Sequence, residues 1–268
     1  MTPAELKAKV LEERSPAIHL IASDASSFSK LGGSPNLPHG TVWPRWGEAP
    51  LAFIAQLDLS ELPSPSPLAE LPTSGVLYFF YEQERSPWGF DPEDRGAWKV
   101  LYNPTRPSAA ETEAPADLNT DWIANPVPLS FRPINTLPHR DRLQIPDWSY
   151  EMVDEFGDWL DEERLRPFAK RPHHQIGGFP DPVQNDSMEL ESQLVSNGLN
   201  CGDETGYNDP RAAALTEGAA DWVLLLQVDT DDDAGMMWGD CGLIYFWIRR
   251  EDLARRDFDN VWMILQCS

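Results

Sequence analysis

An acidic segment near the C-terminus contains residue types whose spacing could do chemistry. Asp229, Asp231, Asp233 and Asp240 stand at positions 1, 3, 5 and 12 of the spacing found in EF-hand calcium loops. Hard cations such as Ca²⁺ take several oxygen ligands from one compact loop, and this spacing supplies them. The sequence therefore predicts a candidate metal site at these four carboxylates, with Ca²⁺ as the ion and no other cofactor.

The same segment departs from the EF-hand pattern in its turn and in its flanks. Ala234 stands where the sharp turn normally has glycine, and Gly235 comes one position late. Asp240 is one methylene shorter than the glutamate that usually closes such a loop, and the flanking segments are predicted strands rather than helices. The alternative is a polar hairpin loop whose carboxylates accept hydrogen bonds from nearby backbone amides.

Two further groups of residues could belong to a site. Trp238, with Met236 and Met237 just before it, could line an apolar pocket or simply cover the end of a sheet. His173 and His174 could bind a metal or transfer protons, but adjacent residues on an extended chain point to opposite faces and cannot readily share one ion. A structural or surface role is favoured for both histidines.

Composition and charge exclude several classes of partner. The chain has 268 residues, a formal charge of −23 and a pI near 4.4. Nucleic acids and anionic membranes are bound mainly through Lys and Arg, so neither is an expected partner. The longest apolar run is far shorter than a membrane span, the N-terminal residues are charged, and three cysteines without a close pair fit a reducing cytosol. The predicted location is cytoplasmic.

The charge is unevenly divided along the chain. Residues 1–134 hold 17 acidic and 10 basic side chains, a net charge of −7, whereas residues 135–268 hold 27 and 11, a net charge of −16. Such a surface could serve solubility alone. It could also attract a basic protein partner by long-range electrostatic steering.

Apolar and aromatic runs predict six strands, three in each half of the chain. The runs are 51–58, 75–81, 97–102, 222–229, 242–248 and 260–267. Residues 32–50 and 60–74 are rich in turn-forming residues, and 103–128 is expected to be a long loop or an insertion.

Capping signals and 3.6-residue periodicity predict helices. Thr2, Pro3 and Glu5 form a capping box at the start of a helix that runs to about Arg14. Ser149 begins a helix whose apolar face includes Phe156, with an acidic face opposite. Another helix should follow Asp186, with Glu189 as its capping partner and Gly198 as its stop, and a short alanine-rich helix should follow Pro210.

Three sequence blocks recur in the same order in both halves. A Gly-Gly-x-Pro block begins at Gly32 and again at Gly177, a Gln-x-Asp block at Gln56 and at Gln227, and an aromatic strand at Gly75 and at Gly242. Convergent strand composition could explain the third block, but not the first two in register. We therefore predict an α+β fold of internally duplicated, mostly antiparallel β units with pseudo-twofold symmetry, flanked by helices. Pseudo-repeat one covers about 30–134 and pseudo-repeat two about 173–268, within a single domain over 1–268.

Three long runs resemble a known family. The runs are GGSPNLPHGTVWPRWGEAPLAFIAQLDLSELP (32–63), HHQIGGFPDPVQNDSMELE (173–191) and the C-terminal run from Trp222 to Ser268. They are similar to the YwqG-like family, a family of unknown function. The resemblance implies a cytosolic α+β protein with a repeated β unit, and it implies no catalytic residues.

The sequence contains no nucleophile elbow, HExxH motif, CxxC pair or phosphate-binding glycine loop. The favoured function is therefore a non-enzymatic binding protein that engages either a basic protein or a small ligand. The alternative is an enzyme of unknown reaction with a site between the pseudo-repeats, which would be metal-dependent if the Asp229 loop binds an ion.

Overall fold

Ten strands form one sheet in the computed structural model, which describes residues 1–108 and 110–268. Two further short strands, β3 and β4, form a separate hairpin. The strands are β1 (Ser15–Ala22), β2 (Lys30–Leu31), β3 (Arg45–Trp46), β4 (Ala49–Pro50), β5 (Ala52–Asp58), β6 (Val76–Tyr81), β7 (Trp98–Asn103), β8 (Val127–Thr136), β9 (Gln175–Gly177), β10 (Trp222–Asp229), β11 (Leu243–Arg249) and β12 (Trp262–Gln266). The helices are α1 (Pro3–Glu12), α2 (Tyr150–Leu165), α3 (Met188–Ser196), α4 (Glu204–Asn208), α5 (Ala212–Leu215) and α6 (Arg250–Arg255).

The order of strands across the large sheet is β12-β11-β10-β9-β1-β8-β2-β5-β6-β7. Every pairing between neighbours is antiparallel. The predicted α+β class with mostly antiparallel strands is therefore confirmed. We call β2, β5, β6 and β7 the first arm, and β9, β10, β11 and β12 the second arm.

The six predicted strands are all present, at β5, β6, β7, β10, β11 and β12. The central pair, β1 and β8, was not predicted. These two strands are paired over eight residues and join the two arms. Residues 104–126, within the expected loop, contain no strand among the described residues, and residue 109 lies outside them.

In each arm, the buried glutamine of the Gln-x-Asp block is hydrogen-bonded to the loop that contains the Gly-Gly-x-Pro block. Gln56 donates from Nε2 to Phe28 O (2.6 Å) and accepts at Oε1 from Asn36 N (2.8 Å). Gln227 donates from Nε2 to His173 O (2.6 Å) and accepts at Oε1 from Asp181 N (2.9 Å). The Gly-Gly-x-Pro block lies between the two backbone partners in each arm, so the glutamine amide fixes the loop that contains this block.

Further hydrogen bonds of the two arms match one another. Tyr78 donates its hydroxyl to Asn36 O (2.8 Å), and Tyr245 donates to Asp181 O (2.6 Å). At the ends of β5 and β10, Asp58 N donates to Ser29 Oγ (2.9 Å) and Asp229 N donates to His174 Nδ1 (3.0 Å). Each of these two strands also has one irregularity in its pairing with the next strand, after Phe53 in β5 and after Leu224 in β10.

The outer ends of the two arms meet through side chains. The rings of Trp98 and Trp262 pack edge to face at 4.8 Å, and those of Phe79 and Phe246 at 5.1 Å. The two indole N–H groups donate to backbone oxygens, Trp98 Nε1 to Val261 O and Trp262 Nε1 to Gly89 O, each at 2.8 Å. The sheet is therefore strongly curved, and one aromatic core is shared by both arms.

Of the three N-terminal helix caps that the sequence predicts, two are confirmed. Thr2 and Glu5 form the capping box of α1, and Ser149 caps α2, whose Phe156 and Leu160 are buried. The capping prediction for α3 was wrong. Its N-cap is Ser187, without a side-chain cap bond, because Asp186 and Glu189 are both engaged by Arg142 instead.

The second Gly-Gly pair generates a prediction about folding. Gly178 has φ +74°, and a Cβ placed on it would lie 2.5 Å from Thr136 Oγ1 and 2.8 Å from Ala17 Cβ. Gly198 also has a positive φ, +85°, but no atom lies within 4 Å of such a Cβ. Both alanine substitutions incur the left-handed backbone penalty of about 1–2 kcal/mol. Gly178→Ala adds overpacking worth about 1–3 kcal/mol.

We therefore expect Gly178→Ala to lower the free energy of unfolding more than the matched control Gly198→Ala. Urea denaturation of both variants at pH 7 measures the difference. Equal losses would contradict the packing assigned to the Gly177–Gly178 turn.

Candidate functional site

The acidic loop is a hairpin between β10 and β11, and its four aspartates are placed differently. Asp229 ends β10 and is partly buried, Asp231 is buried, and Asp233 and Asp240 are exposed. A bridge between Asp231 and Met236 closes a four-residue turn within this loop, through two backbone hydrogen bonds of 2.9 Å. Asp240 lies outside that turn.

The two inner carboxylates accept hydrogen bonds from the protein itself. Asp229 Oδ2 accepts from His173 N (2.8 Å). Asp231 Oδ1 accepts from Asp233 N (2.9 Å) and from Ala234 N (3.3 Å). These are the contacts of the hairpin alternative. Among the described residues, no group of three or more His, Cys, Asp or Glu side chains is arranged to hold a metal ion. Calcium binding at Asp229, Asp231, Asp233 and Asp240 stays a prediction.

The two adjacent histidines have different carboxylate partners, as expected for neighbours on an extended chain. His173 Nδ1 lies 2.6 Å from Asp181 Oδ2, and His174 Nε2 lies 2.9 Å from Asp231 Oδ2. Because Asp229 N donates to His174 Nδ1, we assign the proton of His174 to Nε2, which donates to Asp231. Burial alone would raise the pKa of Asp231, but the hydrogen bonds that it accepts from His174 and from the backbone N–H groups of Ala234 and Asp233 outweigh it and lower that pKa.

A third histidine, His19 of β1, is fully buried beside this pair. Its Nε2 donates to Pro172 O (3.0 Å), and its Nδ1 accepts from the Arg132 guanidinium (3.3 Å). Burial is the main cause that lowers the pKa of His19 to about 4, and the positive charge of Arg132 acts in the same direction. All three imidazoles are thus engaged in holding loops against the sheet.

One candidate binding site is a pair of cavities that share Arg142, Glu189 and Trp222, which we call the central groove. One cavity has a volume of about 430 Å³ and the other about 180 Å³. The smaller cavity is lined from both arms: Pro67 and Leu68 come from the connection between β5 and β6, and Trp247 and Arg250 come from the second arm.

Arg142 crosses the central groove to two acidic side chains, Glu189 in the first turn of α3 and Asp186 just before that helix. It donates to both carboxylate oxygens of the buried Asp186, and to Glu189 at 2.8 and 2.9 Å. Its guanidinium also lies over the ring of Phe179. Burial raises the pKa of Glu189, although Arg142 acts against the rise. Arg142 is therefore held in place, and its charge is compensated by Asp186 and Glu189.

Trp247 lines the smaller cavity and has an unused hydrogen-bond donor. Its side chain is 1% exposed, and within the described residues its indole Nε1 has no hydrogen-bond partner. The neighbouring Trp222 differs, because its Nε1 donates to Gln193 Oε1 (2.8 Å). An unpaired buried N–H costs about 1–3 kcal/mol, so a ligand atom that accepts from Trp247 recovers that cost.

The sequence did not identify the central groove. Asp186 and Glu189 were noticed only as a capping pair, and Trp222 and Trp247 only as strand residues. The one available signal was two acids three positions apart at a helix start, which could also hold an arginine. Nothing in the sequence indicated that Arg142, more than 40 residues earlier, would reach them.

Fold and groove together define an α+β protein with one curved antiparallel sheet and a polar groove that both arms line. A family model described as Domain of unknown function (DUF1963) matches residues 29–267, and the chain belongs to that family. A search of the curated proteins found no match to the chain. Over the residues that the structure describes, the helices are all too short or too polar to cross a membrane.

Burial of His19 generates a prediction about pH. An unfolded histidine has a pKa near 6.5, whereas that of His19 is about 4 in the folded protein. The unfolded state therefore binds the proton more tightly, and folding stability falls as the pH drops from about 6.5 to 4. The loss is at most about 3 kcal/mol at 1.36 kcal/mol per pKa unit.

We expect His19→Gln, which keeps a donor and an acceptor, to remove much of this pH dependence. The control is His39→Gln, because His39 is exposed. Urea unfolding at pH 7, 5.5 and 4.5 gives the slopes. A His19 variant with the same slope as the wild type would show that this imidazole is not the titrating group.

Proposed function

We propose that this protein is a non-enzymatic binding protein that holds a small polar ligand in the central groove. The observation that carries the proposal is Trp247, which lines a cavity of about 180 Å³ and whose buried indole N–H is unpaired within the described residues. Small-molecule sites typically combine apolar walls with a few placed polar groups. The smaller cavity combines the rings of Phe179, Trp222 and Trp247 with two arginines, but its lining is more polar than is typical, so a polar ligand suits it.

The ligand chemistry follows from the groups that line the smaller cavity. Trp247 can only donate, so the ligand must present a hydrogen-bond acceptor to it. Arg250 also donates, and its nearest carboxylate, Glu70 Oε2, is 3.7 Å away. A ligand with a carboxylate or amide oxygen, of fewer than about a dozen non-hydrogen atoms, suits a cavity of this size.

The alternative of an enzyme with its site between the pseudo-repeats stays a prediction. The smaller cavity is lined by both arms and is the place for such a site. Calcium binding at the Asp229 loop, and with it a metal-dependent reaction, also stays a prediction. It implies that Ca²⁺ raises the melting temperature more than NaCl of equal ionic strength, through preferential binding to the folded state.

We further propose that the two arms derive from one duplicated unit with pseudo-twofold symmetry, and that the family assignment extends to the YwqG-like resemblance. The matching hydrogen bonds of Gln56 and Gln227, and of Tyr78 and Tyr245, support a duplication. The strand order supports it too, because the sheet reads equivalently outward from the β1–β8 pair. A single domain over 1–268, with repeats over about 30–134 and 173–268, and a cytoplasmic location are parts of the same proposal.

A basic protein partner is a second candidate, favoured by the exposed acidic face of α2. Asp154, Glu155 and Asp158 on that face are exposed, and none forms an ion pair within the described residues. Their charge is part of the −16 of the second half and would speed association with a cationic surface at low ionic strength.

The test of the small-ligand proposal uses Trp247→Phe, which keeps an aromatic ring and removes the N–H group. Ligand-observed NMR with small carboxylates and amides, from acetate to benzamide, measures binding to the full chain. We expect the affinity of a bound fragment to fall about 5- to 30-fold in Trp247→Phe, since one good hydrogen bond is lost. Trp88→Phe, outside the groove, should bind as the wild type does.

A matched stability measurement checks that Trp247 lacks an internal partner. Trp98 is similarly buried, but its Nε1 donates to Val261 O. Without ligand, Trp98→Phe should cost about 1–3 kcal/mol more than Trp247→Phe, because only Trp98→Phe strands a backbone acceptor. Fragments that bind both indole variants alike, or equal stability losses, would contradict the proposed site.

A further inference from the structure

We propose that a second cavity, separate from the binding function proposed above, binds a small oxyanion of the phosphate type. This arginine cavity has a volume of about 280 Å³ and borders the far end of α3. It shares Trp222 with the central groove but is not lined by Trp247 or Arg142. Its charged lining residues are Arg95, Arg249, Glu251, Asp252 and Arg255.

Two of the three arginines carry charge that no acid compensates. Arg95 donates to the backbone oxygen of Ser196 (3.1 Å), and Arg249 donates to the amide oxygen of Gln193 (2.7 Å). Both acceptors are neutral. Within the described residues neither guanidinium forms an ion pair, although acidic side chains outnumber basic ones 44 to 21 in the chain.

The two acids of the arginine cavity are both paired with the third arginine. Arg255 forms ion pairs with Asp252 (2.5 Å) and with Glu251 (3.5 Å). Asn260 donates a further hydrogen bond to Asp252 (3.3 Å). Three arginines against two acids leave the cavity a net charge of +1, and Arg95 and Arg249 are its cations without an ion pair within the described residues.

Both uncompensated guanidinium groups are held in place by indole rings. The Arg95 guanidinium carbon lies 4.9 Å from the ring centre of Trp262, and that of Arg249 lies 5.1 Å from the ring centre of Trp222. Contact with an aromatic face restrains a guanidinium without using its N–H donors. Each guanidinium thus keeps most of its five donors for a ligand. Part of the entropy cost of ordering these side chains is already met before a ligand binds.

The chemistry of the ligand follows from this arrangement. Planar guanidinium groups bind phosphate and carboxylate oxygens in pairs of parallel hydrogen bonds. Two of them at one cavity match an oxyanion with three or four oxygens better than a carboxylate with two. Free phosphate and the phosphate group of a small monoester share this chemistry.

The experiment compares sodium phosphate, methyl phosphate and NaCl at equal ionic strength and pH, with the full chain. Isothermal titration calorimetry and the melting temperature are the readouts. We expect saturable binding of one phosphate probe and a melting temperature above that in NaCl. The tighter of the two probes identifies the source as free phosphate or a monoester.

The variants are Arg249→Gln and Arg95→Gln, with Arg256→Gln as the control. Arg256 also lies over an aromatic ring, that of Tyr102, and forms no ion pair within the described residues, but it does not line the cavity. We expect the dissociation constant for phosphate to rise at least tenfold in both cavity variants and to stay within twofold in the control. Because each variant is compared with itself in NaCl, a loss of stability alone does not mimic this result.

Equal phosphate responses in all three variants, or a response in the wild type no larger than that in NaCl, would overturn the proposal. Trp247→Phe should keep the phosphate response, since Trp247 does not line the arginine cavity. Failure of the central groove as a ligand site and failure of this anion site are therefore separate results.

Discussion

Two buried glutamine amides impose the constraint on which both arms depend. A buried amide without partners costs several kcal/mol, so the chain must bring backbone groups to Gln56 and Gln227. In each arm a single loop supplies these backbone groups, from two residues that are eight positions apart. They are Phe28 and Asn36 in the first arm, and His173 and Asp181 in the second. The reversal requires positive φ at the Gly-Gly pair halfway along. Glycine and glutamine therefore recur together in the sequence because each arm must hydrogen-bond a buried glutamine amide with a loop that turns at a Gly-Gly pair.

Four strands were predictable because they are buried on both faces and read as continuous apolar runs: β5, β6, β10 and β11. The central pair of strands, β1 and β8, was not predictable in this way. β8 is largely exposed or half-buried and includes Pro128 and Pro133, a composition that does not indicate a strand. Its partner β1 lies more than 100 residues away, and its buried stretch is only four residues long. Strands of this kind are stabilised by long-range pairing, which local sequence patterns do not contain.

The candidate sites show the same division between local and long-range information. The spacing of the Asp229 loop was visible, but spacing does not reveal whether a carboxylate accepts from the protein's own amides, as Asp231 does. The central groove depends on Arg142 reaching Asp186 and Glu189 across more than 40 residues of chain. The unpaired state of Trp247 depends on every neighbour of one atom. The apolar and aromatic run predicted a strand that contains this side chain. Whether its N–H group finds a hydrogen-bond partner depends on the folded protein.

One pair of matched contacts makes the two arms chemically unequal. The backbone N–H that ends β5 donates to the hydroxyl of Ser29, and the N–H that ends β10 donates to the imidazole of His174. A serine hydroxyl can accept this hydrogen bond and has no second ring atom with which to reach another element. The imidazole accepts through Nδ1 and also contacts Asp231 through Nε2. In the second arm, the end of the strand is therefore tied through one side chain to the hairpin loop that follows it, whereas the hydroxyl of Ser29 gives the first arm no such second contact from a ring.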